Sequence, residues 1–184
     1  MRSPKEFAVW LATNHPQDTP IATPQSANCK VAVVVPVRGE RIERIERLVK
    51  SLARQQVTPG TIETLLVVNN RPDNGTATGQ AQYAANQRLL ASPLLTGSVH
   101  AIDLSSVGRS HPGSNVGTAR QRGLIEAAGR FAARGTNGIV LHTDADCRFD
   151  DPTFFSRLIW VFDHYPKLVA AGGGHTLEVS ADDP

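Results

Sequence analysis

Cysteine is nearly absent: Cys29 and Cys147 stand far apart in a chain of 184 residues. That spacing excludes a disulfide framework and the paired thiols of a structural zinc site, so reduced cysteines are expected. Long apolar runs are missing as well. A bilayer-spanning helix needs about 20 consecutive apolar residues, and no stretch of this sequence approaches that. Charge of one sign is also scarce. Nineteen Lys and Arg against 17 Asp and Glu leave a net charge of +2, too small a basic footprint for nucleic acid, so no nucleic-acid partner is expected. The basic opening Met1 to Lys5 is followed by an apolar segment only from Phe7 to Ala12, too short for a signal peptide. A cytoplasmic protein with no transmembrane segment is expected, and peripheral membrane association stays open.

What is present suits one globular core, with 40% hydrophobic and 20% charged residues in a length that favours a single domain. Residues 1–28 carry Pro4, Pro16, Pro20 and Pro24 among Thr, Asn and Gln, which predicts an irregular arm ahead of a domain over 29–184. Val31 to Pro36 is a β-branched run ended by proline, the pattern of a strand buried on both faces. Ile42, Ile45, Leu48, Val49 and Leu52 recur at helical spacing, with Glu43–Arg47 and Glu46–Lys50 on the wetter side. A second strand is predicted over Ile62 to Val68, a helix from about Thr78 to Leu90, and a third strand over Val99 to Leu104. Asn115 is placed to cap a helix running through Ala119, Leu124, Ala127 and Phe131. Ile139 to Leu141 reads as a buried strand, Pro152 as the first turn of a helix, and Leu168 to Ala171 as a last strand. Strands alternating with helices imply an α/β fold, a mostly parallel sheet with helices on both faces.

Chemistry concentrates after the Ile139 strand, which delivers Asp144 and Asp146 to the point where it stops. In an open α/β sheet ligands bind outside the carboxyl ends of the strands, and hard carboxylate oxygens suit Mg²⁺ or Mn²⁺. On the triplet alone, a polar turn ahead of Asp151 and Pro152 explains the two acids equally well. Two common nucleotide motifs fail. Gly108 to Gly113 has the glycine spacing of a phosphate loop, but Ser114 and Asn115 stand where Lys and Ser or Thr are required. Pro36-Val-Arg-Gly39 occupies the turn after the first strand, where a dinucleotide-binding domain would need its glycine fingerprint.

Four segments in order resemble the family-two inverting glycosyltransferases, which have a GT-A fold. Val31-Ala-Val-Val-Val-Pro36-Val-Arg38 is similar to that family's opening strand and nucleobase-pocket turn, and Glu63-Thr-Leu-Leu-Val-Val-Asn-Asn70 to its second strand. Asn115-Val-Gly117-Thr-Ala119-Arg120-Gln-Arg-Gly123 resembles the Asn-x-Gly-x-x-x-Ala-Arg segment, with Gly117 and Thr118 displaced. Leu141-His-Thr-Asp144-Ala-Asp146-Cys147 resembles the Asp-x-Asp motif. The resemblance covers roughly residues 30–178. It implies a Rossmann-like, GT-A-like fold for nucleotide diphospho-sugars, in a truncated form that lacks the acceptor half.

By the same resemblance Pro36, Val37, Arg38 and Glu40 line the nucleotide, Asn69 and Asn70 hold the base, and Arg120 approaches base or diphosphate. Asp144 and Ala145 contact the nucleotide, Asp146 binds Mn²⁺ or Mg²⁺ directly, and Asp144 contacts the ribose or reaches the metal through water. Read as residues alone, Asn70 is a turn former, Arg120 a surface arginine paired with an acid such as Glu126, and His142 a hydrogen-bonded core histidine. The family usually has Asp where Asn69 and Asn70 stand. No catalytic base is identified, since only Glu178, Asp182 and Asp183 follow the last expected strand. The expected function is metal-dependent transfer of sugar from a nucleoside-diphosphate donor to a sugar, lipid or polymer acceptor. The alternative is a non-catalytic nucleotide-sugar-binding module or fragment. A nucleotidyltransferase is disfavoured because Val37 to Glu40 lacks a Gly-rich basic loop.

Overall fold

The computed structural model describes residues 6, 9–10, 13–14, 21–70, 75–109, 115–168 and 170–173. Four strands form one sheet: β1 (Val31–Val37), β2 (Ile62–Asn69), β3 (Val99–Leu104) and β4 (Ile139–His142). Their order is β3-β2-β1-β4, and every pairing is parallel. Parallel neighbours need crossovers, supplied by helices α1 (Ile42–Ala53), α2 (Ala77–Leu90) and α3 (Val116–Ala133), with α4 (Phe154–His164) after β4. The first two crossovers step outward from β1 to β3. The third returns past β1 to β4, so the right-handed rule sends α3 to the opposite face.

The two faces of the sheet accordingly carry separate cores. Val31, Val33, Val35, Val37, Leu66 and Val68 meet Ile45, Leu48 and Leu52 of α1, Leu89 of α2 and Phe155 of α4. Ala32, Val34, Leu65, Val67 and Ile102 meet Ala119, Ala127 and Phe131 of α3. The strand alternation thus divides the valines and leucines between both sides, which is why β1 and β2 read as continuous apolar runs. Helix α3 approaches the sheet closely at Gly123, where a Cβ would come within 2.3 Å of Val34 Cγ1. No helix among the described residues is long and apolar enough to cross a membrane.

Several expectations need correction. β4 is a half-buried edge strand, not a buried one, because among the described residues it has a neighbour only on its β1 side. Pro152 precedes α4, which starts at Phe154. Its approach is organised by Asp151, whose carboxylate accepts from the Thr153 N–H at 2.8 Å and hydroxyl at 2.7 Å. Leu168, Ala170 and Ala171 carry no strand, and Val169 lies outside the described residues. Glu46–Lys50 pairs at 3.1 Å as expected, whereas the second ion pair at α1 is Glu40–Arg44 at 3.7 Å.

Under α3 the packing includes charge. Glu63, buried in β2, accepts from Arg130 Nε at 3.0 Å and from Gln25 Nε2 at 3.0 Å, and lies 3.3 Å from His100 Nε2. Burial works against this carboxylate. Hydrogen bonds from His100, Arg130 and Gln25 outweigh it and hold the Glu63 pKa down at about 2. Arg130 Nη1 also donates to the Ile21 and Thr23 carbonyls at 3.3 and 2.9 Å, which fastens residues 21–28 onto α3.

Glu126, one turn before Arg130, is fully buried, and neither of its oxygens reaches hydrogen-bond geometry with a partner among the described residues. The Ile21 backbone lies near it and favours its charged form. Burial pushes the carboxyl from 4.5 up to about 7 against the opposing charges of Arg130 and Arg122. Because the folded value is raised, the group carries no ionisation penalty below pH 4.5, and that penalty grows to a plateau above pH 7. Glu126→Gln is therefore expected to stabilise the chain by about 2–3 kcal/mol at pH 8 and by almost nothing at pH 4. Urea unfolding at the two pH values measures this. Equal effects at both would remove the proton linkage.

Candidate functional site

Parallel pairing brings all four carboxyl ends to one edge, so the segments after Val37, Asn69, Leu104 and His142 share it. The chain changes direction between β1 and β4, which opens a crevice there, the usual ligand position in such sheets. The ladder continues one rung past β4, with the Thr143 N–H donating to Val34 O at 3.2 Å. Asp144 therefore emerges beside the end of β1. Ala145 turns into the α1-side core, while Asp144 and Asp146 both stand exposed. The small apolar residue between the acids anchors the turn and sends both carboxylates toward solvent.

Arg120 leaves the second turn of α3 and donates from Nη2 to Asp144 Oδ1 at 2.7 Å. Its expected alternative partner Glu126 is not used. Arg120 Nε is buried and has no hydrogen-bond partner among the described residues, so part of the guanidinium is not committed to them. The helix start beside it is capped by Asn115, whose Oδ1 accepts from the Thr118 N–H at 2.9 Å. His142 is exposed at the end of β4 and is not the core histidine expected. Among the described residues no group of three or more His, Cys, Asp or Glu comes together. Two carboxylates suit a hard divalent cation whose remaining ligands are phosphate oxygens and water, the usual manner of Mg²⁺.

The rest of the rim comes from β1 and β2. Pro36 is half-buried, Val37 buried, Arg38 exposed and Glu40 half-buried against Arg44. Gly39 has φ +68°, and a Cβ on it would meet Gln82 Cα at 2.8 Å, so the turn after β1 lies directly on α2. Asn69 and Asn70 are buried, and their amide NH₂ groups donate to the carbonyls of Asn115 at 3.0 Å and Gly79 at 3.3 Å. These two side chains fix the starts of α3 and α2 against the sheet. Residues 71–74, 110–114 and 174–184, including Glu178, Asp182 and Asp183, lie outside the described residues.

At the opposite edge an open pocket of about 370 Å³ is lined by Cys29, Lys30, Thr58, Thr61, Arg134 and Thr136, among others. Arg134 spends its guanidinium there on the Cys29 and Ala27 carbonyls and Gln25 Oε1, and Lys30 faces Asp163 at 3.5 Å. Its cations are engaged in holding the chain, and the strand ends remain the better site.

Sequence reasoning missed the clamp on the Asp144–Asp146 loop. Ser51 Oγ accepts from the Phe149 N–H at 3.1 Å, and Gln55 Nε2 donates to Phe149 O at 3.3 Å. Gln55 Oε1 also accepts from the Phe155 N–H at 3.4 Å. The signal available was two polar residues, Ser51 on the same helical face as Leu48 and Leu52, and Gln55 just beyond the helix end. Phe149, Phe154 and Phe155 then pack around the clamp, tilted or edge to face, at centroid distances of 5.1–5.2 Å. Gln55→Leu strands the half-buried Phe149 carbonyl and the buried Phe155 amide and is expected to cost about 1–3 kcal/mol of unfolding free energy. Arg120→Gln breaks only an exposed pair and is expected to cost no more than about 1 kcal/mol. Urea unfolding of the two variants checks both, and a reversed order would show that Arg120, not Gln55, secures the loop.

No protein-family model and no curated protein matches the sequence. Solved structures with a similar course include TarS of S. aureus, at 19% identity and a TM-score of 0.39, covering 74% of this chain and 20% of that one. TarS 1–349 in complex with UDP matches at 20% identity and a TM-score of 0.38, covering 74% and 33%. The mannosyltransferase PcManGT from Pyrobaculum calidifontis, in complex with GDP-Man and Mn²⁺, matches at 18% and 0.40, covering 86% and 39%. The chain thus spans from a fifth to two fifths of the length of these proteins, and at such values the likeness bears on neither substrate nor reaction.

Proposed function

We propose that this chain holds the nucleoside diphosphate of a sugar donor at the carboxyl edge of its sheet. On this reading it is the donor-binding part of a metal-dependent, inverting glycosyltransferase of the family-two, GT-A-like type. The observation that carries the reading is the meeting of Arg120 with Asp144 at 2.7 Å in the crevice between β1 and β4. Segments far apart in sequence, each similar to a motif of that family, come together there, with Asp146 exposed alongside.

The residues divide the work by charge. Asp146 and, directly or through water, Asp144 would hold Mn²⁺ or Mg²⁺. A bound cation supplies Lewis-acid neutralisation of the departing diphosphate. Arg120 trades its bond to Asp144 for a phosphate oxygen, which its planar fork of donors suits. Pro36, Val37, Arg38 and Glu40 form one wall for the base, and Asn69 and Asn70 support the other through the backbone they hold. The acceptor is a sugar, lipid or polymer, and the protein works in the cytoplasm, with peripheral attachment to a membrane compatible with this role.

A nucleoside diphosphate is expected to raise the melting temperature only with Mn²⁺ or Mg²⁺ present. Ligand at about 100 times its dissociation constant adds roughly 2.7 kcal/mol of stability. Asp146→Asn should abolish the metal-dependent shift, while Asp150→Asn, which loses only the exposed contact to Arg148, should keep it. Differential scanning fluorimetry with UDP, GDP and dTDP, each with Mn²⁺ or with chelator, makes the measurement. A shift of equal size in chelator would sink the metal assignment.

A further inference from the structure

Helix α2 contributes little apolar surface, and its buried residues are Gly79, Asn86 and Leu89. An inward asparagine in a helix interior has poor intrinsic propensity and a costly burial unless its amide is satisfied. Asn86 is 1% exposed, and its bonds reach three different loops. Its Oδ1 accepts from the Gly39 N–H at 2.8 Å, after β1. Its Nδ2 donates to Asn69 O at 3.2 Å, at the end of β2, and to Ser105 Oγ at 3.1 Å, just after β3. Ser105 is itself fully buried, and its N–H donates to Asp103 Oδ1 at 2.9 Å.

One side chain thus fixes the heights of three strand ends relative to one another, and both of its N–H donors are used. We propose that Asn86 is the positioning residue of the base-binding rim, setting affinity for the nucleoside part of the ligand without touching it. This rests on the site proposed above. Gly39 lies between Arg38 and Glu40, and Asn69 lies beside Asn70, so a shift at Asn86 moves the whole wall assigned to the base. The carboxylates after β4 stand on the other side of β1 and are held separately, through Ala145, Ser51 and Gln55. Asn86 therefore acts directly on the nucleoside end of the ligand, and reaches the diphosphate end only at second hand, through Asn69 and the start of α3 that carries Arg120.

The test separates those ends. Calorimetry measures Mn²⁺ with inorganic pyrophosphate, and Mn²⁺ with whichever of UDP, GDP and dTDP the parent binds tightest. Asn86→Asp keeps the size and the acceptor for Gly39 but loses both donors and sets a carboxylate against Asn69 O. It should weaken the nucleotide by about tenfold, the scale of leaving one buried hydrogen-bonding group unsatisfied, with pyrophosphate affinity changed by much less. Ser105→Ala removes one bond from the same hub and provides a milder variant should Asn86→Asp fail to fold. It should show the same split at smaller size. Parallel weakening of nucleotide and pyrophosphate, or nucleotide binding equal to the parent, overturns the role of Asn86. A parent that binds neither ligand overturns the site itself, and the inference with it.

Discussion

β1 is paired on both edges, with β2 over Val31 to Val37 and with β4 over Val31 to Val34, and helices cover it above and below. A strand in that position takes a polar side chain only where buried partners meet it, as they meet Glu63 in β2, and Val-Ala-Val-Val-Val asks for none on either face. Its neighbours inherit their places from it. Two crossovers in one direction put α1 and α2 on one face, and the return to β4 puts α3 on the other. The crevice between the ends of β1 and β4 follows from that reversal, before any side chain in it is specified.

The central elements were legible because their signals are local. Val31 to Val37 and Ile62 to Asn69 declare themselves by β-branched and aliphatic content, α1 by its period, and α3 by its asparagine cap. What escaped depends on contacts between residues distant in sequence. Ile139 to Leu141 has the composition of a buried strand, yet its exposure is set by its place in the sheet order, which no window of sequence contains. The same applies to Glu63. In the sequence it is an acid at the start of an apolar run, and only the fold supplies Arg130, His100 and Gln25 to it.

The candidate site was legible in part, and the division is physical. Residues that would meet a ligand directly, Asp144, Asp146, Arg120 and Arg38, announce themselves as charged groups beside strand ends. The side chains that hold them in place are neutral amides and hydroxyls: Ser51, Gln55, Asn69, Asn86 and Ser105. Apart from Asn69, which the resemblance singled out, each looks unremarkable in sequence, because amides and hydroxyls are commonly solvated. Burial reverses its significance, since a buried amide must find partners and therefore ties together whatever backbone surrounds it. The rim is built from such ties, so its shape is a property of polar hydrogen bonding and not of the apolar cores beneath.

That construction leaves charge at the rim free to be exchanged. The Arg120–Asp144 pair has side chains 42% and 57% exposed, so water competes for both partners and the bond contributes little to stability. A deeply buried pair such as Glu63–Arg130 resists separation, because each partner would be left charged in a poorly polarisable interior. The protein holds both kinds. The buried pair lies beneath α3, where it anchors residues 21–28, and the exposed pair lies in the crevice. An arginine stored on a carboxylate keeps the two charges balanced while the crevice is empty of ligand. On the reading proposed above, a metal–diphosphate would match that pair: the cation would take the carboxylate, and a phosphate oxygen would take the guanidinium. A bare anion would strand Asp144 and a bare cation would strand Arg120, so that reading favours the two arriving together.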